Sequence, residues 1–585
     1  MSTPVRRVLY GEANYRDMVE ENGYYVDKTD YIRLLEQYKS PVFLRPRRFG
    51  KSLLCTMLQY YYDINEEPRF EQLFGHTNIG AHPTDEHSSY FVLHFDFSVV
   101  DPSGSIEDIK NRFNHHINVV LNEFSLINQH RFPNPVTIDL TSDPVDNLTY
   151  LSSLRVASNL PPFYIIIDEY DNFSNQLITQ RRDQVYAQLT ADDSFLKGFF
   201  KALKNGRKNR NIARIFITGV LPITMDDLAS GYNIANFITL HPKFEAMLGF
   251  SQTEVDTLLD TIYSDYALDK ETRLQVADVI KSNYNGYHFV EPRGTSLYNS
   301  TILMFFLEKL TDLKCIPEFL TDVNLKTDIS WIRRLTSSNP QHTKDLVGQL
   351  TIENRLRYSK AQLIEKFDMS QFFEKSFYPI SFFYLGMLTK KDDYYMQLPN
   401  INMKAIFSEY FNEVHHVDMA TRYAEMMSAF DASPDLPKLF GDYWTHYISQ
   451  LPEAVFASVN ENFYRTTFYD LCRQFLSHLY IWRMESSYPG GRSDLEMEGK
   501  YHTRFARDRY LMEFKYISNS QADRRKLKIV DFVAPEQDRK QLMTYHRAQR
   551  EEYPEQRIQS FLIYCFGNRG FRVFPQENQD PLDPR

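Results

Sequence analysis

The stretch SPVFLRPRRFGKSLL, residues 40–54, decides how the first half of this chain is read. It ends in the G-K-S of a phosphate-binding loop, but the form G-x-x-x-x-G-K-[ST] calls for glycine at position 45, where Arg45 stands. PVFL ahead of it is a short apolar run like that of a buried parallel strand, and SLLCTMLQYYY behind it carries the apolar face of a helix. Strand, loop and helix are the context in which such a loop works. Gly50 lets the backbone approach phosphate, and the amides at the helix start bind phosphate oxygens. Lys51 reaches the β- and γ-phosphates and the Ser52 hydroxyl can ligate Mg2+. A bare G-K-[ST] also arises by chance in long chains, and Arg45 must reach the loop conformation with a Cβ in place.

A partner for the loop lies in FYIIIDEYDNF, residues 163–173. Five apolar or aromatic residues lead straight into Asp168 and Glu169. Asp168 is suited to hold Mg2+ through water and Glu169 to polarise the attacking water. A plain buried strand ending at an acidic turn has the same letters, but its pairing with G-K-S favours the chemistry. IARIFITGVLPIT, residues 212–224, supplies another strand, with Thr218 at its end as a candidate sensor of the γ-phosphate. FVLHFDFS, residues 91–98, adds a further strand, and the order predicts a doubly wound α/β domain. RFPNPVTIDLTSDPVDNL, residues 131–148, reads as an insertion within it.

The whole chain of 585 residues, 43% hydrophobic and 15% aromatic, is long enough for three or four domains with buried cores. No segment approaches the roughly 18 uncharged apolar residues of a membrane span, and no apolar run follows the arginine pair of MSTPVRRVLYGEANYRD. The expectation is a soluble, cytoplasmic protein without a membrane partner. Cys55, Cys315, Cys472 and Cys565 lie far apart without a Cys-x-x-Cys pair, which argues against a zinc site or a disulfide framework. The net charge of -10 is uneven: residues 451–585 hold 21 Lys and Arg against 19 Asp and Glu, residues 1–450 hold 45 against 57. An anionic polymer meets less repulsion at the C-terminal end.

That end has its own constellation: GGRSDL at 490–495, YLMEFKYI at 510–517 and QLMTY at 541–545. Strand alternation puts Glu513 and Lys515 on one face, about 7 Å apart, with Phe514 turned to a core. With Asp494 from a preceding strand, the group can hold Mg2+, activate a water and set a cation beside a scissile phosphate. Glu513 and Lys515 alone would more often be an exposed ion pair. Glu461, in VNENFYRTTFYDL, is a candidate further acidic ligand or a helix-start carboxylate. Arg524, Arg525, Lys526 and Lys528 in ADRRKLKIVDF are candidate phosphate contacts or a solvated turn, and KGFFKALKNGRKNR, Lys197 to Arg210, is equally open.

In order, YYVDKTDYIRLLE, FLRPRRFGKSLL, FVLHFDFS, IIIDEYD, FITGV, LGFSQTEV and YNGYHF closely resemble the bacterial AAA-ATPase-like proteins over about the first 310 residues. R-P-R-R-F-G-K-S is that family's form of the loop, so the resemblance implies an ATP site with Arg45, Arg48, Gly50, Lys51, Ser52, Asp168 and Thr218 on the nucleotide. Ser52 and Asp168 would take its Mg2+, and Glu169 would be catalytic. Gly491-x-x-Asp494, Glu513-x-Lys515 and Gln541-x-x-x-Tyr545 resemble the three motifs of PD-(D/E)XK nucleases of the RecB-like branch. This second likeness implies catalytic roles for Asp494, Glu513, Lys515, Gln541 and Tyr545. It also implies Mg2+, or Mn2+, on Glu461, Asp494 and Glu513, and a nucleic-acid substrate, DNA foremost.

The expected architecture is α/β and multidomain. An AAA-like P-loop ATPase core at 1–235 and a helical lid at 236–310 precede a winged-helix-like connector at 311–430. A linker at 431–450, a PD-(D/E)XK nuclease-like domain at 451–575 and a disordered tail at 576–585 complete it. SQTE opens the lid with a capping box, YNGYHFV at 284–290 either faces nucleotide or packs as an aromatic turn, and FYPISFFYLGMLTKKDDYYMQLPN suggests a helix followed by a hairpin. Between Arg214 and Arg273 there is no arginine, although hexameric motors of the AAA+ kind place an arginine finger there. A slow switch-like ATPase fits better, or one completed by a second copy or a partner. Two other readings stay open: an NTP-dependent switch whose nuclease-like part only docks DNA or protein, and an ATPase for which another protein supplies cleavage.

Overall fold

Five parallel strands organise the N-terminal part of the computed structural model, which describes residues 5–228, 232–318, 320, 331–334, 340–363, 367–419, 422–484, 487–488 and 491–576. Strand β1 (Pro41–Leu44) is buried at every residue and runs through the loop into helix α1 (Lys51–Tyr62). Gly50 caps that helix at φ 88°, in the left-handed region that glycine reaches without cost. Then come β2 (Phe91–Asp96), β3 (Phe163–Asp168), helix α2 (Phe195–Lys208), β4 (Ile212–Gly219) and the two-residue β5 (Asn236–Phe237). All six residues of β3 are buried, as in a strand covered on both faces. The sheet order is β2-β3-β4-β1-β5. Because β4 lies between β1 and β3, the loop and the carboxylates that follow β3 end up two strand spacings apart, about 10 Å.

Three helices follow: α3 (Gln252–Asp265), α4 (Arg273–Tyr284) and α5 (Ser300–Leu313). The Ser251–Glu254 capping box starts α3, and Glu254 is also paired with Lys28 at 2.6 Å, which fastens the helix to the N-terminal segment. Helix α6 (Tyr378–Tyr384), buried throughout, leads into a hairpin of β6 (Thr389–Lys390) and β7 (Tyr395–Gln397), to which Leu356–Arg357 adds a third strand. Asp392 closes the turn by accepting from the Tyr394 and Tyr395 amides. Helix α7 (Ile401–Val414) starts on an Asn400 cap.

The segment expected as a linker at 431–450 is not one. It carries helix α8 (Leu436–His446), started by Asp435 and Pro437, with Leu436, Leu439, Phe440 and Tyr443 buried. The Phe440 ring lies 5.1 Å from Phe468, 5.2 Å from Phe571 and 6.0 Å from Phe514, so α8 is part of the C-terminal core. Its proline sits in the first helical turn, where a missing N–H costs nothing. The C-terminal unit continues with α9 (Glu461–Leu476), β8 (Tyr480–Met484), β9 (Leu495–Gly499), β10 (Asp508–Ile517), α10 (Glu536–Glu552), β11 (Arg557–Phe566) and β12 (Gly570–Pro575). The mixed sheet has the order β12-β11-β10-β9-β8, with β10 and β11 parallel around the crossover helix α10. Of the expected tail, residues 577–585 lie outside the described residues, as does Gly490. Among the described residues, no helix is long and apolar enough to cross a membrane.

Phe440→Ala is expected to cost about 3–5 kcal/mol, read as a lowered thermal midpoint for the C-terminal unit. A loss below about 1 kcal/mol, within the range of a surface change, would show that α8 only tethers that unit.

Candidate functional site

Two clusters of charged side chains stand out, one at each sheet. At the parallel sheet, a cavity of about 190 Å³ opens beside the loop, bordered by Arg48, Gly50, Lys51, Ser52 and Glu169. The N-terminal segment, the turn at 247–250 and the start of α5 close its other sides. Arg48 and Glu169 hold positive φ, 68° and 48°, a strain of about 1–3 kcal/mol each that the packing around them maintains. Two contacts set the loop's shape: the Thr301 amide donates to the Arg48 carbonyl at 3.1 Å, and the Lys51 ammonium to the Pro46 carbonyl at 3.1 Å.

Asp168 ends β3 and is 3% exposed, with the Ser52 hydroxyl close enough to bear on its carboxyl. Burial pushes its carboxyl up to about 6, Glu169 and Asp96 add to the rise, and Ser52 and Lys51 oppose it. A hydroxyl and a carboxylate form the hard oxygen set that suits Mg2+, and Lys51 is near enough to bear on Asp168. The structure therefore brings Gly50, Lys51, Ser52, Asp168 and Glu169 together.

Arg45 and Thr218 are placed otherwise. The Arg45 guanidinium, 1% exposed, points away from the cavity and donates to the carbonyls of Leu44, Thr239, Phe244 and Glu245. It lies between the rings of Phe43 and Phe289, 4.4 Å from each. This residue anchors the loop's base and is not a nucleotide ligand. The Thr218 hydroxyl donates to the Phe43 carbonyl at 2.8 Å inside the sheet, because Phe43 and Thr218 are register partners. It is therefore not turned to a γ-phosphate. The aromatic turn at 284–290 packs on the loop from outside, with Tyr287 5.1 Å and Phe289 5.3 Å from Phe49.

Below Asp168, Cys55 and His94 come within reach of its carboxylate, ligand atoms of all three lying within 4.8 Å of one another. The His94 Nδ1 meets Gln59 Oε1 at 2.8 Å, and burial lowers the imidazole to about 4. Sequence reading passed over both residues. The available signals were Cys55 one turn after Lys51 on the same helix face, and His94 two residues before Asp96 on the same strand face, Asp96 being the register partner of Asp168.

The second cluster lies on β9, β10, α9 and α10. Asp494, just ahead of β9, accepts from the Phe514 amide at 2.7 Å and so is fixed to β10. Glu513 is 3% exposed and accepts from the Lys515 ammonium at 2.9 Å and from Gln541 at 3.1 Å. Gln541 also donates to the Tyr545 hydroxyl at 2.8 Å. A Cβ at Gly491 would fall 2.1 Å from that hydroxyl, which is why the first motif has glycine there. Burial raises Glu513 to about 7, the Asp494 and Glu461 charges add to this, and Lys515 opposes. Burial likewise raises Asp494 and Glu461. Against its own burial, Lys515 is held above its ordinary value by Glu513, Asp494 and Glu461. Glu513 Oε2 is buried with no hydrogen-bond partner, an orphaned oxygen of the kind a cation fills.

All six residues expected here, Glu461, Asp494, Glu513, Lys515, Gln541 and Tyr545, thus belong to one interacting group. Arg465 was missed: one turn after Glu461 on α9, it pairs with Asp494 at 3.0 Å. Its signal was the Glu-x-x-x-Arg spacing, which places both on one helix face. Arg524, Arg525, Lys526 and Lys528 are exposed at and beyond the end of the short helix after β10.

Residues 9–229 match the family model described as predicted AAA-ATPase, and residues 459–574 match that of the PD-(D/E)XK nuclease superfamily. This is the two-part order expected from the sequence. The chain is also similar to a curated protein of Azotobacter chroococcum mcd 1, "Uncharacterized protein in vnfD 5'region", with 25% identity over 293 residues. The match spans 49% of this chain and 49% of that relative, so the chain covers about half the relative's length.

A metal ligand must shed its proton, so a Glu513 carboxyl at about 7 sets the sign of a pH dependence. Mg2+ affinity at this cluster is expected to rise with pH up to about 7 and level off above it. Below that point it should fall by about tenfold per pH unit, as followed by calorimetry. A flat profile between pH 6 and 8 would show that Glu513 does not take the ion.

Proposed function

We propose that the chain binds and slowly hydrolyses ATP in its first unit and cleaves phosphodiesters, DNA foremost, with Mg2+ in its C-terminal unit. The observation that carries the nuclease reading is the gathering of Asp494, Glu513 and Lys515 on neighbouring strands, with one Glu513 oxygen buried and unpartnered. Asp494 and Glu513, with Glu461 beside them, would hold the ion. When bound, Mg2+ supplies charge to the phosphate oxygens and acidifies a water. Lys515 keeps its proton and offers a cation to the phosphate. Gln541, fixed by Tyr545, orients Glu513, and Arg465 keeps the other carboxylate in place.

At the first site, Lys51 would bind the terminal phosphates, Ser52 and Asp168 the magnesium, and Glu169 would orient the attacking water. Slow hydrolysis fits the lack of arginine between positions 214 and 273. Arg214 itself is buried on Glu86 and on the carbonyls of Glu36 and Tyr38. A second copy or a partner would supply the missing cation.

Coupling between the sites has a physical route. Glu496 and Glu498 fall on one face of β9, in line with Asp494 just ahead of it, and the cross-strand register sets Arg509 opposite Glu498. Arg509 lies 2.9 Å from Glu498 and 3.6 Å from Glu496. The far end of this row meets α4 of the ATPase lid: Gln275 donates to Glu498 at 3.1 Å, and Arg483 joins Glu498 to Asp278, 3.1 Å away. A shift of α4 would therefore act on a polar row that ends about 13 Å away at Asp494.

The purified chain, incubated with linear and circular DNA and Mg2+, is expected to cut. Glu513→Ala should lose at least about a hundredfold in rate, since outer-shell partners alone are worth tenfold to a hundredfold. Wild-type cutting retained in Glu513→Ala would overturn the nuclease reading. Lys51→Ala should abolish ATP binding and any response of cutting to ATP. Asp278→Asn is expected to keep ATP binding and ATP-free cutting while shrinking the ATP response, and an unchanged response would remove α4 from the route.

A further inference from the structure

At the end of the parallel sheet opposite the loop lies a second charged surface. Helix α2 buries Leu196, Phe199, Phe200 and Leu203 against the sheet. Lys201, Lys204 and Lys208, at i, i+3 and i+7, follow one another along its outer side. Together with Arg207 and Lys39 they line a groove of about 750 Å³ that reaches the edge strand at Asn236, and among the described residues no Asp or Glu lines it. Lys197, on the same helix, is 3% exposed and paired with Asp192 at 2.6 Å, so it is absorbed into the fold. Arg207 is held in position by donating to the Ile212 carbonyl at 2.9 Å.

We propose that this groove binds the phosphate backbone of a nucleic acid. The inference rests on the nucleic-acid reading given above and says where the ATPase unit takes hold of the polymer. Asp192 beside Lys201 and Glu86 beside Lys39 are already paired with Lys197 and Arg214, so five cations in a chain of net charge -10 form a local exception that attracts a polyanion. The stripe from Lys201 to Lys208 rises about 10 Å along the helix, enough for about three nucleotide steps at 3.4 Å per step of one strand. The groove is more open than enclosed, so a continuous chain of phosphates can lie across it. Lys39 precedes β1 and the ATP loop follows it, so the two sites sit at opposite ends of one strand. Polymer and ATP bind without competing.

The test uses the full chain, EDTA to prevent cutting, and a fluorescent 20-base-pair duplex or the matching single strand, with affinity measured from 50 to 200 mM salt. In a Lys201→Gln, Lys204→Gln, Lys208→Gln variant, the slope of log K against log salt should fall by about 2.7 for duplex, or about 2 for single strand. ATP binding and thermal midpoint should stay unchanged. Lys39→Gln, outside the helix, should remove a further 0.9 or so from the duplex slope by itself, which keeps the test decisive if the triple variant folds poorly. DNA bound with wild-type slope by both variants would overturn the groove and leave the nuclease reading standing. No DNA bound by the wild-type chain would overturn both. Poly-glutamate binding as tightly as DNA of equal charge would replace the nucleic acid with an acidic protein.

Discussion

The Arg45 guanidinium is the point from which the N-terminal half is held together. Taking such a group out of water costs several kcal/mol, and the structure offsets this with four backbone carbonyls and two aromatic faces. Those partners come from different segments. Leu44 and Phe43 belong to β1, Thr239 to Glu245 to the start of the lid, and Phe289 to the aromatic turn. Glu245 in turn accepts from the Phe289 and Val290 amides, and Lys390 of the hairpin donates to the Val290 carbonyl at 3.0 Å. One buried cation thus links the loop to the segments at 239–245 and 287–290 and, through them, to the hairpin of β6 and β7. A glycine in its place would take a donor away from each of these four carbonyls.

The two candidate sites share a physical arrangement. In each, a strand brings a carboxylate into the interior, where burial raises its proton affinity, Asp168 to about 6 and Glu513 to about 7. Each also has a lysine close by whose charge opposes that rise. Carboxylates in this condition are poised between a proton and a cation, and a divalent ion adds what neither lysine can, a charge bound directly to oxygen. At the C-terminal site Arg465 and Lys515 pair with Asp494 and Glu513, one cation to each carboxylate.

The row of charges on β9 and β10 explains why the C-terminal unit is not a separate bead on a string. Glu498 is buried, yet Arg483 and Arg509 hold its carboxyl below the ordinary range. Breaking such a pair from one side is costly, because it strands the other charge in the interior. The lid contributes Gln275 and Asp278 to this arrangement, and Tyr501 beyond β9 reaches back to Glu271 at 3.1 Å. At α4 the contact is polar and hydrogen-bonded, while Phe411 of α7 packs on Phe463 of α9 with ring centres 5.8 Å apart.

What the sequence alone determined were features that depend on local spacing. An all-apolar run that ends in two carboxylates points to a covered strand, and Gly50-Lys51-Ser52 between a strand and a helix points to a loop that faces that strand's end. Likewise Glu513-x-Lys515 shares a strand face, and Gln541 and Tyr545 share a helix face. Whatever depended on which partner lies across space was decided only by the tertiary structure. The letters of Arg45 and Thr218 fit the nucleotide as well as they fit the sheet, and only the strand order shows their donors captured by carbonyls of β1 and the lid. ASPDLPKLFGD has a linker's prolines and polar residues, but Phe440 finds three rings from β10, β12 and α9, and that burial outweighs the local signal. Arg465 was hidden for the same reason, and the basic stretch from Lys197 to Arg210 stayed open until the fold set it beside Lys39. A charged residue in a sequence shows its sign, while its role depends on whether the fold brings a counter-charge to it.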